Sequence, residues 1–234
     1  MIRAFTRAFG QLSDPALRRY LWISVGVTLA VFLILWGLGL FALRVTEIPP
    51  FDLFGYTVAL DGVADVFGAI VVFLALGLMF PSVLIVIMGF FLDAIAQIVE
   101  DRHYPGLGAA REQNVTEVIR IVLKFAALSI ALNLLALPIF LFLIFLPPFN
   151  LFVFYALNGY LLGREYYELV AYRRLSPVPA RRLRRVCGAK LFLVGVVIAV
   201  LMSVPGLNLI VPIVATAAMV HLVQDWRTLY AGEQ

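Results

Sequence analysis

The sequence predicts an all-α integral membrane protein, built from two long transmembrane helices and two half-penetrating (re-entrant) helical hairpins. Three observations carry this reading. The chain has 234 residues, 63% apolar and 14% charged, with a mean hydropathy of +1.02; soluble domains have roughly 45–50% apolar and about 25% charged residues. A fold of this length has too little interior for so much hydrocarbon, so lipid is the solvent for most of it. Four stretches, 20–43, 66–92, 125–163 and 191–224, contain no Asp, Glu, Lys or Arg. Prolines cut the last two of these, at Pro147-Pro148 and at Pro205 and Pro212.

The elements follow in order within a single membrane domain, 1–234. Residues 1–19 read as a cytoplasmic interfacial helix: Ile2, Phe5, Phe9 and Leu12 recur at helical spacing, with Arg3 and Arg7 off the stripe. Residues 20–43 are long enough for one spanning helix, and no small-residue cleavage site follows, so the segment is a retained transmembrane helix. Residues 44–65 form an acidic periplasmic loop with Glu47, Asp52, Asp61 and Asp65. A second transmembrane helix fills 66–104; its cytoplasmic extension keeps a stripe of Ala94, Ile95, Ile98 and Val99 until Pro105-Gly106 stops it.

The two hairpins, 125–163 and 191–224, rest on length and proline placement. Arms such as 191–204 and 207–220 span only about 21 Å at about 1.5 Å per residue, short of a hydrocarbon core near 30 Å. They can enter, turn at depth and return, provided the turn is buried in protein or lines a wet cavity. The tips resemble each other: Pro147-Pro148-Phe149-Asn150-Leu151 aligns with Pro205-Gly206-Leu207-Asn208-Leu209. The positive-inside rule puts both termini in the cytoplasm, with 17 of the 18 basic residues on that side. The count is the same whether the hairpins re-enter or cross fully. The basic segment 164–190 holds the run Arg181–Arg185, read either as a topology signal or as a site for anions or acidic lipid.

Two constellations can bind an anion. In Ser13-Asp14-Pro15-Ala16-Leu17-Arg18-Arg19, Ser13 or Asp14 caps a helix and Pro15 suits its first position. The amides that follow, with Arg18 and Arg19, make an oxyanion site at the positive end of the helix dipole, with Asp14 competing for those amides. A capped helix with interfacial arginines explains the same residues. The hairpin tips at Asn150 and Asn208 aim the amides of the returning arms along a polar path, or simply cap a structural turn. Asn133 and Asn158 stand out within the arms, because an unsatisfied amide in hydrocarbon is costly.

Catalytic signals are missing. His103 and His221 have no metal-ligand spacing, His221 reads as interfacial, and no glycine-rich phosphate loop precedes a helix. No cofactor is expected. No aromatic platform interleaves the arginines, which argues against nucleic acid as a partner. Cys187, the one cysteine, excludes a disulfide framework; in its basic surroundings its thiol pKa is open to lowering.

Four places resemble the CysZ-type bacterial sulfate permeases and their etoposide-induced-protein relatives. They are Pro15-Ala16-Leu17-Arg18-Arg19, Phe91-Leu92-Asp93-Ala94-Ile95-Ala96, Asn158-Gly159-Tyr160 with Gly163-Arg164-Glu165-Tyr166, and Val204-Pro205-Gly206-Leu207-Asn208-Leu209-Ile210-Val211-Pro212. The resemblance implies two full transmembrane helices, two half-penetrating hairpins, a homo-oligomer and a place in the bacterial inner membrane. It further implies sulfate uptake for cysteine biosynthesis, with the anion bound at Ala16, Leu17, Arg18 and Arg19. A paralogue carrying another oxyanion and a non-transporting structural or assembly protein are the alternatives.

Overall fold

The computed structural model describes residues 1–45, 51–53, 56–58 and 61–231. The acidic 44–65 segment therefore lies partly outside the described residues, Glu47 included. The chain forms two compact units, Arg19–Phe90, and Met1–Arg18 together with the chain from Phe91 onward.

The first unit holds most of α2 (Pro15–Val45), a two-stranded antiparallel ribbon and α3 (Asp61–Gly89). The ribbon pairs β1 (Phe51–Leu53) with β2 (Tyr56–Val58). Both helices exceed 40 Å at about 1.5 Å per residue. Phe32 packs edge-on against Phe73 and Phe80, and Trp36 against Phe73. Inside this unit the Ser24 hydroxyl faces the Met88 sulfur, and Thr28 donates to the Ser24 carbonyl at 2.7 Å, so both buried hydroxyls are satisfied.

The second unit contains helices and no strand among its described residues. It comprises α1 (Ile2–Gln11), α4 (Leu92–His103), α5 (Val115–Phe142), α6 (Pro147–Ala171), α7 (Pro177–Val186), α8 (Gly188–Met202) and α9 (Val211–Ala231). Its centre is α9, buried without interruption from Val211 to Gln224. A helix apolar on every side belongs inside. Helix α1 lays Ala4 and Ala8 inward and leaves Ile2 and Phe9 exposed, so the large members of its apolar stripe remain free to enter lipid. Helices α6 and α8 meet backbone to backbone. A Cβ on Gly195 would lie 1.8 Å from the Gly159 carbonyl oxygen, and one on Gly163 would lie 2.5 Å from that of Leu191. Small residues at such crossings are how membrane helices gain close packing.

Among the described residues, Pro15–Ala42, Val66–Gly89 and Val115–Phe145 are long and apolar enough to cross a membrane. Their side chains are largely exposed (Leu33, Ile34, Leu78, Leu134 and Phe142 are examples), as lipid-facing surfaces are. Helices α7 and α8 meet at an 84° bend, the geometry of a broken span or a re-entrant segment.

The structure departs from the sequence reading in three places. The helix expected to run on through 66–104 stops at Gly89: the Phe90 amide bonds back to Ile87, tightening the last turn, and α4 starts anew at Leu92 with Asp93 in its first turn. The stripe of Ile95, Ala96 and Val99 is buried, and α4 belongs to the second unit. The first hairpin begins at Val115 instead of 125, because Asn114 accepts the Thr116 amide at 3.1 Å and caps the helix ten residues before its charges end. With 28 residues, α5 covers about 42 Å, full spanning length, and Pro138 sits inside it without ending it. In the second hairpin α8 has only 15 residues, about 22 Å. The chain reverses after Gly206, whose φ of 84° suits glycine, and α9 starts at Val211, later than the expected arm at 207.

Candidate functional site

Asp14, rather than Ser13, caps α2. Its Oδ1 accepts the Ala16 amide at 3.0 Å, its carbonyl accepts the Arg18 amide at 3.0 Å, and its Oδ2 pairs with Arg102. The Ala16 amide is thus committed, and the Leu17 side chain is buried. Arg18 and Arg19 are exposed, and among the described residues neither guanidinium has an ion-pair partner. Of the predicted anion site, the arginines remain available for a ligand and the first amide does not.

Among the described residues no hydrogen bond links the four asparagines to one another. Asn133 donates to the Ser129 carbonyl at 2.8 Å, and Asn158 to the Phe154 carbonyl at 2.9 Å. Each side-chain amide makes one bond to its own helix, one turn back. Asn150 lies in the first turn of α6 with its backbone amide bonded to Leu146; Asn208 lies in a 3₁₀ turn, Leu207–Leu209, with its amide bonded to Val204. The matching tip sequences therefore adopt different backbones, one already α-helical and one not.

The structure assembles a cluster that sequence reasoning missed. Glu100, fully buried on α4, accepts from Arg173 at 3.1 Å and from Arg174 at 2.8 and 3.0 Å. Arg173 also pairs with Asp93 and bonds Gln97, and Arg174 donates to the carbonyls of Leu107, Gly108 and Ala109. Burial alone would lower the Arg173 pKa, but Asp93 and Glu100 outweigh it and hold it above the ordinary arginine value. Asp93, Gln97 and Glu100 share one face of α4, at spacings of four and three. That polar stripe beside the Arg173-Arg174 pair was the available signal. Each guanidinium nitrogen of Arg173 and Arg174 is bonded within the protein, so the cluster fastens α4 and the 105–111 segment to the end of α6.

His103 and His221, far apart in sequence, stack edge-on with ring centroids 5.2 Å apart. Gln11 Nε2 lies 3.2 Å from one ring and 2.7 Å from the other, and the Tyr104 hydroxyl lies 2.9 Å from His221 Nδ1. The His221 side chain is buried within the protein. Among the described residues no three His, Cys, Asp or Glu side chains are placed to hold a metal ion. Cys187 is also buried; burial pushes its thiol up and Lys190 offsets this only in part, so the lowered pKa its basic neighbours allowed is not realised.

No curated protein matches the chain. A family model does: the one described as sulfate transporter CysZ/etoposide-induced protein 2.4 matches residues 4–212. That range takes in the capped α2 terminus, the Glu100 cluster, the first hairpin and the second as far as the start of α9, and the chain belongs to this family.

Proposed function

We propose that the protein carries sulfate, or a closely related oxyanion, across the bacterial inner membrane without altering it, passively or with weak coupling, to supply cysteine biosynthesis. The observation that carries this is the family match over residues 4–212. Arg18 and Arg19 recruit the anion at the cytoplasmic end of α2, as charge-assisted donors. Both hairpins return to the side they entered, the second by dipping partway into the bilayer, with both termini cytoplasmic and the tips at Asn150 and Asn208 facing a polar path. The short α8 and the bend before it support this for the second hairpin. Copies of the chain associate and cover the turns. No catalytic step and no cofactor is involved.

Flux of labelled sulfate into liposomes tests the reading. Protein-bearing vesicles should take up sulfate faster than empty ones; equal rates would end it. Comparing sulfite, thiosulfate and molybdate identifies the preferred anion. One observation favours a non-transporting role: Asn133 and Asn158 each spend a side-chain donor on their own helix. A stable co-purifying partner, together with no anion-dependent thermal shift, would select that alternative.

A further inference from the structure

A hollow of about 470 Å³ opens between the start of α5, the end of α6 and α7. Five cations line it: Arg120, Lys124, Arg164, Arg181 and Arg184, against two carboxylates, Glu117 and Glu168. Neither carboxylate balances it. Both oxygens of Glu117 are taken by Arg111, at 2.6 and 3.1 Å. Glu168 is shared: Arg164 at 2.7 Å and Arg184 converge on the same oxygen, so one negative charge answers two positive ones. Among the described residues Arg120 and Lys124 have no carboxylate partner, although they stand one turn apart on the same face of α5 and repel each other. Arg181 is bonded only to the Pro177 carbonyl of its own helix.

We infer that this hollow binds a tetrahedral oxyanion, either a free inorganic one or the phosphate of an anionic lipid headgroup. Topology requires basic residues on one side of the membrane; it does not require five of them, from three helices, to face one cavity. A cleft lined by one sign of charge focuses its field and concentrates counter-ions. The volume, set against about 30 Å³ per water in the liquid, admits such an anion with part of its hydration. Arg164 and Arg184, held by Glu168, are preorganised donors for it; Arg120 and Lys124 are the mobile charges that close on it. The site is separate from Arg18 and Arg19, and the inference does not depend on transport.

The test uses the full chain in neutral detergent, in an Arg18→Gln, Arg19→Gln background that silences the other arginines. Sulfate and inorganic phosphate are titrated as one arm. Retention of phosphatidylglycerol from mixed phosphatidylcholine–phosphatidylglycerol vesicles is the other. Adding Arg120→Gln with Lys124→Gln, which breaks no ion pair, should lower at least one of these affinities tenfold or more, and the arm that falls names the source of the anion. The control Arg182→Gln with Arg185→Gln, removing two charges of α7 outside the hollow, should leave both within twofold. Equal affinity with and without Arg120 and Lys124, or an equal loss in the control, overturns the site. Absent sulfate flux with this binding intact would sink only the transport reading.

Discussion

Glu100 and Glu168 each accept from two guanidinium groups, yet their surroundings part company. Around Glu100 the count closes, since Asp93, Gln97 and three backbone carbonyls take the remaining donors of Arg173 and Arg174. Around Glu168 it stays open: Arg120, Lys124 and Arg181 line the same hollow without a carboxylate of their own. A closed cluster contributes to one folded arrangement and offers nothing to a ligand. An open one, held at the protein edge where water still enters, tolerates excess charge and attracts a counter-ion. A tally of arginines along the chain treats both alike.

The sharpest way to break this comparison is Glu100→Ala. It leaves Arg174 without a carboxylate and Arg173 with Asp93 alone, and removing one partner of a buried pair costs about 3–5 kcal/mol; unfolding in detergent should show it. A variant as stable as the wild type would mean the cluster is not what fastens α4. Gly195→Ala comes next, at about 1–3 kcal/mol from overpacking, because its Cβ would collide with the Gly159 carbonyl. Glu168→Gln should destabilise less than Glu100→Ala and raise anion affinity several-fold, since it frees Arg164 and Arg184 for the ligand; weaker binding would show that Glu168 positions them more than it neutralises them.

The smallest effect concerns pH. A thiol raised by burial favours its protonated form in the fold, so its stabilising share is intact below the ordinary cysteine value of 9.0 and is lost as pH climbs through the higher folded value. Cys187→Ala should flatten the fall in stability above pH 9; an unchanged slope would assign that fall to other groups.

Much of the architecture was legible because lipid imposes strict rules on a sequence. Charge-free stretches marked the apolar helices, and the prolines at 147–148 and 205 marked the reversals. Those same stretches misplaced helix ends: α5 begins at its Asn114 cap, well inside charged sequence, since the end of a helix and the end of its apolar zone are set by different forces. The break at Phe90 was hidden because the α4 stripe kept helical period across it; the structure ends α3 at Gly89 and starts α4 at Leu92. The candidate site was legible as two arginines and less so as amides, because the choice between Ser13 and Asp14 as the cap depends on Arg102, which lies far along the chain. The Glu100 cluster joins residues 73 apart, a separation that no local spacing reports.

The glycine contacts between α6 and α8 have a further consequence. With Gly159, Gly163 and Gly195 in touch, no crevice is left for a solvated ion to thread between these two helices. At that crossing the two helices leave no passage, and any permeation route must run along another face of the pair.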